Sequence, residues 1–231
     1  MKKLAITVSM ATLIICSIFL VNNSSDKVSG NKITEEVVLK TENLLENGKI
    51  KHSVTKDNED SKEIEVRVNM NNGNLNKQDM ANYKKENSKN MASLAKTKSI
   101  IPSTVTFTSP ISIDEFETLV NKNQIQVESF NLIALDNNNM HQFIQGVPNE
   151  ESIIPKDKLE EVLNGADLEG VYAFKGNIPS KFIEAFNSNK SVYLTDVSKT
   201  ILTEKSNKLK KEDEHLDVHV DDVFWFVNEI E

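Results

Sequence analysis

Two strand–helix–strand patterns follow one another between residues 102 and 200, and they constrain the fold more than any other feature of this sequence. The first begins with alternating apolar residues at 105–107 and ends in a long strand pattern at 124–135. The second begins at 171–175 and ends at 191–197. Because crossovers within one sheet are right-handed, two such units leave few topologies. They predict an α+β fold of the split βαβ (ferredoxin-like) kind, an antiparallel four-stranded sheet with two helices on one face.

Both helices of these units carry clear sequence signals. Ser112 and Glu115 form a capping box, in which each side chain binds an otherwise unpaired backbone N–H. Pro179 is typical of a first helical turn, and a shift in alternation near Ser129 indicates a bulge in the long strand. The apolar stripes of the two helices consist of Phe116, Leu119, Val120, Phe182, Ile183 and Phe186. We therefore expect Phe116 and Phe186 to be buried under the sheet.

Residues 137–166 are interpreted as an insertion between the two units. The insertion begins with three asparagines and contains a helix pattern at 156–164, which Gly165 ends as a left-handed cap residue. The apolar residues of this helix that are expected to point inward are Leu159, Val162 and Leu163.

The N-terminus is expected to place the rest of the chain outside the cell. After Lys2 and Lys3, residues 4–21 form an uncharged apolar run of eighteen residues, the lower limit for a membrane-spanning helix. Because the lysines precede this run, the positive-inside rule leaves the following residues on the outer side. Residues 1–23 are therefore interpreted as a signal-anchor that crosses the cell membrane once, or alternatively as the cleaved signal peptide of a secreted protein.

The single cysteine of the chain lies inside this apolar run. Lipoprotein signals resemble a Leu-x-small-Cys box, whereas Ile15 puts a branched residue at the small position before Cys16. A lipid anchor on Cys16 is therefore disfavoured. The exported part contains no cysteine, which excludes both a disulfide framework and thiol catalysis there.

Charge and composition exclude nucleic-acid binding. The chain has 27 basic and 35 acidic residues, a net charge of −8, and Arg67 is its single arginine. A polyanion-binding protein needs a basic surface, which this composition does not supply. The 27 asparagines and 26 lysines are typical of a low-GC bacterium. Together with an exported, cysteine-free body they favour the outer face of a Gram-positive-like membrane.

Residues 24–101 are weakly hydrophobic and are interpreted as a polar stalk that precedes the core domain of residues 102–200. Alternating apolar residues on both sides of a polar turn predict a hairpin within residues 50–70. An amphipathic helix is expected at 77–96, with a stripe that Asn87 interrupts. The stripe consists of Met80, Tyr83, Met91 and Leu94. A solvated stalk without these elements is the alternative.

Residues 201–231 begin with a basic run and end as an acidic C-terminal segment. Residues 212–231 hold eight acids and no lysine or arginine. Strict alternation at 215–221 predicts a strand, and three consecutive aromatic residues follow it. These candidate partner-binding residues are Phe224, Trp225 and Phe226. Since no single face can cover three consecutive rings, the segment is expected to pack on the core domain or otherwise to bind a partner protein.

His215, Asp217 and His219 are the residues considered as metal ligands. On a strand the two histidines are about 13 Å apart, too far to share one ion, whereas either histidine could chelate a metal together with Asp217. A solvated polar strand face is the simpler interpretation. We therefore assign no metal and no other cofactor.

Catalytic motifs are missing from the sequence. It contains no GxSxG elbow, no HExxH motif and no glycine-rich phosphate loop. The remaining histidines, His52 and His141, have no catalytic partner close to them in sequence. We therefore assign no catalytic residue and expect a protein that is not an enzyme.

The last strand pattern, Val192-Tyr193-Leu194-Thr195-Asp196-Val197, closes its strand–helix–strand unit with an acidic residue. In this spacing residues 102–200 resemble the propeptide inhibitors of subtilisin-like proteases, and they are also similar to the extracellular sensor domains of some bacterial anti-sigma factors. The sequence thus predicts a non-enzymatic extracytoplasmic sensor or protein-interaction domain tethered to a bacterial membrane. The alternative, implied by the first resemblance, is an inhibitor or chaperone of an exported protease that acts by strand addition.

Overall fold

The helices and strands of the chain alternate in an α+β order. A computed structural model describes residues 52–54, 64–68, 77–212, 216–220 and 222–225. In chain order the elements are β1 (His52–Val54), β2 (Ile64–Val68), α1 (Lys77–Thr97), β3 (Ile100–Ile111), α2 (Ile113–Lys122), β4 (Gln126–Leu135), β5 (His141–Gly146), α3 (Lys156–Leu163), β6 (Asp167–Pro179), α4 (Ser180–Asn187), β7 (Val192–Asp196), α5 (Ser198–Glu212) and β8 (Leu216–Val220).

The main sheet has five strands in the spatial order β5-β4-β6-β3-β7, and all neighbouring strands are antiparallel. The predicted α+β class and antiparallel sheet are confirmed, whereas the predicted number of four strands is wrong. The fifth strand, β5, comes from the insertion. The Asp136 side chain accepts hydrogen bonds from the backbone N–H groups of Asn138 and Met140, both at 2.8 Å, and Asn139 has a left-handed backbone. The asparagines thus form a hairpin turn, for which this residue type is well suited.

One face of the main sheet carries the apolar core. Phe174 of β6 lies between the helices, with ring centroids 5.3 Å from Phe116 of α2 and 6.2 Å from Phe186 of α4. Phe116 and Phe186 are both buried, as predicted. The bulge predicted near Ser129 is also present, as a register shift between Val127 and Ser129.

Of the two hydrogen bonds expected in the capping box at the start of α2, the one accepted by the Ser112 side chain is present. The Ser112 hydroxyl accepts a hydrogen bond from the Glu115 N–H at 3.2 Å, as predicted. The Glu115 carboxylate, however, accepts a hydrogen bond from the Ser191 hydroxyl at 3.2 Å. The Glu115 side chain therefore links α2 to the loop before β7.

The predicted helix at 77–96 is confirmed as α1, and it packs on the folded body. Met91 and Leu94 belong to the same apolar core as Phe116. Packing of the core thus begins before residue 102, where the sequence had placed the end of a polar stalk. The interrupting Asn87 is itself buried.

Three details of the helices differ from the sequence prediction. Val162 of α3 is 53% exposed rather than pointing inward. This short helix has no buried residue, and its Leu159 packs against the core while half-buried. Pro179 ends β6 and caps α4, one position before its first turn. Phe182 is only half-buried, with the Lys181 ammonium 4.6 Å from its ring centroid.

The helix α5 was not predicted, because its lysine-rich sequence was interpreted as the start of the C-terminal segment. Its first turn is anchored by the Asp196 carboxylate, which accepts a hydrogen bond from the Ser198 N–H at 2.8 Å. Thr200, predicted as the end of the core domain, lies inside this helix and donates a hydrogen bond to the Pro102 carbonyl at 2.7 Å.

A second, smaller sheet joins segments that are far apart in sequence, in the order β1-β2-β8. β1 and β2 are antiparallel, so the hairpin predicted within residues 50–70 is confirmed. β8 pairs with β2 in parallel, from Ile64 opposite Leu216 to Val68 opposite Val220. The strand predicted at 215–221 is thus confirmed as well.

Packing of the C-terminal segment on the core is confirmed for Val223 and Trp225, which are both buried. They form a small apolar cluster with Met80 and Leu194. Phe226 lies outside the described residues, as do residues 1–23 with the expected signal-anchor. Among the helices that the structure describes, none is long and apolar enough to span a membrane.

Candidate functional site

The two edge strands of the main sheet, β7 and β5, differ in how their outward backbone groups are hydrogen-bonded. At the β7 edge, the Asn87 side chain of α1 donates a hydrogen bond to the Thr195 carbonyl at 2.6 Å and accepts one from the Val197 N–H at 3.0 Å. The Asn187 side chain of α4 accepts a hydrogen bond from the Thr195 N–H at 3.1 Å. Side-chain amides thus satisfy both backbone groups of Thr195 and the N–H of Val197, which hinders another strand from pairing at this end of β7.

The opposite edge is β5, which pairs with β4 alone in the described sheet. Near the turn the Asp136 N–H donates to the Met140 carbonyl at 2.9 Å. Opposite residues in an antiparallel ladder alternate between hydrogen-bonded and non-hydrogen-bonded pairs. Counting from Met140, the backbone groups of Ile144 therefore hydrogen-bond to β4. The same alternation directs the N–H and C=O groups of Phe143 and Gln145 away from the sheet.

The sequence of β5 lacks the features that usually protect an edge strand. Its six residues include no lysine, no proline and no acid, although charged side chains and prolines are the common means of preventing strand addition. Phe143 is 54% exposed, and Met140 and Val147 on either side of the strand are exposed as well. The β5 edge is therefore suited chemically to binding an extended segment of another protein.

Aromatic side chains extend this surface onto the sheet face opposite the helices. The ring centroids of Phe143 and Tyr172 are 5.5 Å apart in an edge-to-face arrangement. Burial raises the pKa of Tyr172 to about 12, so its hydroxyl stays protonated at neutral pH. Gly146 ends the strand where a Cβ would overlap the Phe130 ring, so the strand can approach the core closely at this point.

A polar cleft of about 340 Å³ lies on the same sheet face, between the sheet and α5. Its lining combines three lysines, four carboxylates and several hydroxyl or amide groups. The charged residues of this lining are Lys98, Lys175, Lys199, Glu128, Asp196, Glu204 and Asp222. The volume is that of a small-ligand site.

The lysines of the cleft are held in ion pairs. Lys175 lies 2.9 Å from Glu128 and 3.8 Å from Asp222, and Lys199 lies 3.0 Å from Asp222. Burial by itself would lower the pKa of Lys175, but the hydrogen bond to Glu128 and the charge of Asp222 raise it above its ordinary value. Lys175 therefore stays charged, and its ammonium is fitted to bind carboxylates rather than to act as a base.

Asp196 is the buried carboxylate at the end of this cleft. Its Oδ2 accepts hydrogen bonds from the Tyr83 hydroxyl at 2.7 Å and from the Trp225 indole N–H at 2.9 Å. Burial and the charge of Asp196 raise the pKa of Tyr83 well above its ordinary value. Asp196 thus joins α1, β7 and the C-terminal segment.

The structure separates the site residues that the sequence singled out. Asp217 and His219 belong to β8, opposite Glu65 and Arg67 in the strand register, and His215 lies outside the described residues. In the part of the chain that the structure describes, no group of three or more His, Cys, Asp or Glu residues is arranged to hold a metal ion. Trp225 is 1% exposed, so it could meet a partner only after displacement.

Sequence reasoning did not single out β5 or the polar cleft. The adjacent apolar residues Phe143 and Ile144 break any alternation within His141 to Gly146, and the preceding asparagines were interpreted as the start of an insertion rather than as a turn. The cleft had no local signal, because its lining comes from separate strands, α5 and the C-terminal segment.

Comparisons with known proteins add no family to this picture. No protein-family model matches the chain, and no curated protein and no solved structure is significantly similar to it.

Proposed function

We propose that this chain is a non-enzymatic protein-interaction or sensor domain on the outer face of a bacterial membrane, tethered through residues 4–21. We place partner binding at β5, by addition of an extended partner strand to the main sheet. The observation that carries this proposal is the contrast between the two sheet edges. Asn87 and Asn187 satisfy the carbonyl and the N–H of Thr195 at the β7 edge, whereas β5 combines outward backbone groups with an exposed Phe143.

The finer description of the fold belongs to the same proposal. The strands of the two strand–helix–strand units lie in the spatial order fourth, first, third, second, as β7-β3-β6-β4. This order is that of a split βαβ unit. We interpret β5 as an added strand that extends this unit at its open edge.

The alternative function, inhibition or chaperoning of an exported protease, uses an edge strand or the C-terminal segment, and the resemblance to propeptide inhibitors adds the acidic end of β7. Asp196, the acid that closes β7, is buried and hydrogen-bonded to Tyr83 and Trp225. It is also followed directly by α5, so β7 does not end in a free tail. These contacts favour the sensor or interaction domain over an inhibitor whose last strand enters a protease.

Site-specific photo-cross-linking tests the proposed edge. A photoreactive phenylalanine analogue replaces Phe143 in the full chain, in the bacterium that produces it, and a second chain carries the analogue at the exposed Val162. Gln145→Pro removes an outward N–H that β4 does not use, so it blocks strand addition and preserves the fold. Gln145→Ala keeps that N–H and is the matched control.

We expect a cross-linked protein adduct at position 143 that Gln145→Pro reduces at least tenfold and Gln145→Ala leaves unchanged. The adduct at position 162 should be much weaker, since α3 lies outside the edge. Equal adduct yields at positions 143 and 162, or equal yields with proline and alanine at position 145, would refute binding through β5.

A further inference from the structure

The C-terminal residues 216–225 lie on the folded body in the way that a bound peptide lies on its receptor. β8 adds to the edge of β2 by parallel pairing over five residues. The chain then reaches Asp222 at the polar cleft and ends its described part at the buried Trp225. Main-chain pairing, an ion pair and an aromatic anchor are the three means by which domains commonly recognise extended segments.

Trp225 is the anchor of this segment. Its backbone N–H donates to the Thr106 hydroxyl at 3.2 Å, and its indole N–H donates to Asp196 at 2.9 Å. Its ring centroid lies 4.9 Å from that of Tyr83. The Trp225 slot, formed by Tyr83, Thr106 and Asp196, therefore recognises both the shape of an indole and its N–H donor. Phenylalanine has no such donor.

Asp222 supplies the second recognition element, three residues before the anchor. Its carboxylate lies 3.0 Å from the Lys199 ammonium and 3.8 Å from that of Lys175. Asp222 thus occupies a site formed by two lysines. The carboxylates of Glu128 and Asp222 raise the pKa of Lys175. Because these groups are partly exposed, the ion pairs contribute less binding energy than the buried Trp225, whereas a positive charge at position 222 would be repelled by both lysines.

The walls of the groove belong to elements other than the segment that occupies it. Only three residues join the end of α5 at Glu212 to the start of β8 at Leu216. The groove walls, by contrast, come from α1, β3, β7 and α5. Release of the segment would therefore expose the slot without removing any of these walls.

From these contacts we infer that the Trp225 slot and the Lys175–Lys199 pair form a binding groove for an extended protein segment with a carboxylate three residues before a tryptophan. The chain's own C-terminal segment occupies this groove in cis, and a partner segment of the same chemistry displaces it. The groove is separate from β5, so the inference stands independently of the proposed function.

A peptide of residues 216–225 is the probe. Full-length Trp225→Ala vacates the slot, and because Trp225 is the only tryptophan of the chain, the emission of a mixture reports on the peptide alone. We expect the peptide emission to shift to the blue with Trp225→Ala. Binding followed by anisotropy of a labelled peptide should be at least tenfold weaker to the wild-type chain, whose groove is occupied.

A charge-reversed peptide, Asp222→Lys, is the matched control and should bind at least tenfold more weakly than the native peptide. Lys199→Glu in the Trp225→Ala chain should weaken the native peptide and strengthen the reversed one. Equal affinity for both peptides, or no binding to a Trp225→Ala chain with a native circular dichroism spectrum, would overturn the inference.

Hydrogen exchange on the wild-type chain tests the inference even where Trp225→Ala does not fold. Amides of β8 and residues 222–225 should exchange at least 100-fold faster than those of β3 and β6, because the segment detaches without global unfolding. Equal protection of these two groups of amides would overturn the inference that a partner segment can replace the C-terminal segment. If the wild-type chain forms a dimer that the free peptide dissociates, the groove binds the C-terminal segment of a second copy. That result would overturn occupation of the groove in cis.

Discussion

At the scale of single residues, buried polar side chains decide how the elements join. Asn87 interrupts the apolar stripe of α1, yet it satisfies the carbonyl of Thr195 and the N–H of Val197. A buried backbone group that loses its partner costs about 1–3 kcal/mol. Asn87 therefore contributes more to the stability of the β7 edge than an apolar residue at this position would.

Replacing Asn87 with leucine should lower the free energy of unfolding by about 2–4 kcal/mol, because two buried backbone groups lose their partner. Urea denaturation followed by circular dichroism measures this loss. Asn82→Leu on the exposed side of α1 is the control and should change stability by less than about 0.5 kcal/mol. Similar midpoints for the two variants would contradict the assigned role of Asn87.

Tyr83 makes the stability of the protein depend on alkaline pH. Burial and the charge of Asp196 raise its folded pKa above the ordinary value of 10.0, so the unfolded chain releases this proton first. The stabilisation is complete below pH 10 and is lost as the pH rises, by about 1.4 kcal/mol per pH unit for one group.

Urea denaturation between pH 9 and pH 11.5 should show this loss, and Tyr83→Phe should reduce its slope by about 1.4 kcal/mol per pH unit above pH 10. Comparison with the wild-type chain cancels the lysines that titrate in the same range. Equal slopes for the two proteins would show that Tyr83 ionises as readily in the folded as in the unfolded state.

At the scale of the elements, helices on one face of the sheet and an unprotected strand at its edge have different functions. Phe116 and Phe186 of α2 and α4 pack against Phe174 and exclude water from the core. Phe143 of β5 is an aromatic residue of the same sheet but is 54% exposed. The first two stabilise the fold, whereas the third belongs to the edge at which we propose partner binding.

Replacing Phe116 or Phe186 with alanine should therefore lower the free energy of unfolding by about 3–5 kcal/mol, through lost burial and the cavity left behind. Phe143→Ala is the matched control, and it should cost less than about 1 kcal/mol because its ring is half in solvent. Chemical denaturation measures all three variants. A comparable loss for Phe143→Ala would mean that β5 belongs to the core rather than to a binding edge.

At the scale of the whole molecule, segments from both ends of the described chain meet beside the main sheet. β2 and β8 pair in parallel although more than 140 residues separate Val68 from Leu216. Residues 1–51, which precede this small sheet, lie outside the description. The proposed tethering of the domain to a membrane therefore rests on the apolar sequence of residues 4–21.

An alkaline phosphatase fusion after Asp26 should be active in a bacterial host, because the enzyme folds only outside the cytoplasm. The full chain should also stay with the membrane fraction after a carbonate wash, as a spanning helix does. Release of an N-terminally trimmed chain into the medium would instead assign residues 1–23 to a cleaved signal peptide and the protein to the secreted class.

The sequence by itself determined those features that depend on neighbours along the chain. The period of apolar residues and the Ser112 cap identified α1, α2 and α4, and the strand patterns identified the paired strands other than β5. These signals are local because helix and strand geometry repeat over a few residues. The α+β class and the burial of Phe116 and Phe186 follow from them.

Only the tertiary structure decided which residues from distant segments meet. It placed Asn87 beside a strand edge, put β5 at the edge of the described sheet, and brought Asp222 to Lys175 and Lys199. A single sequence does not encode these pairings in any local period, because they depend on the three-dimensional approach of elements that burial drives together. The candidate binding edge and the C-terminal groove both arise at this level.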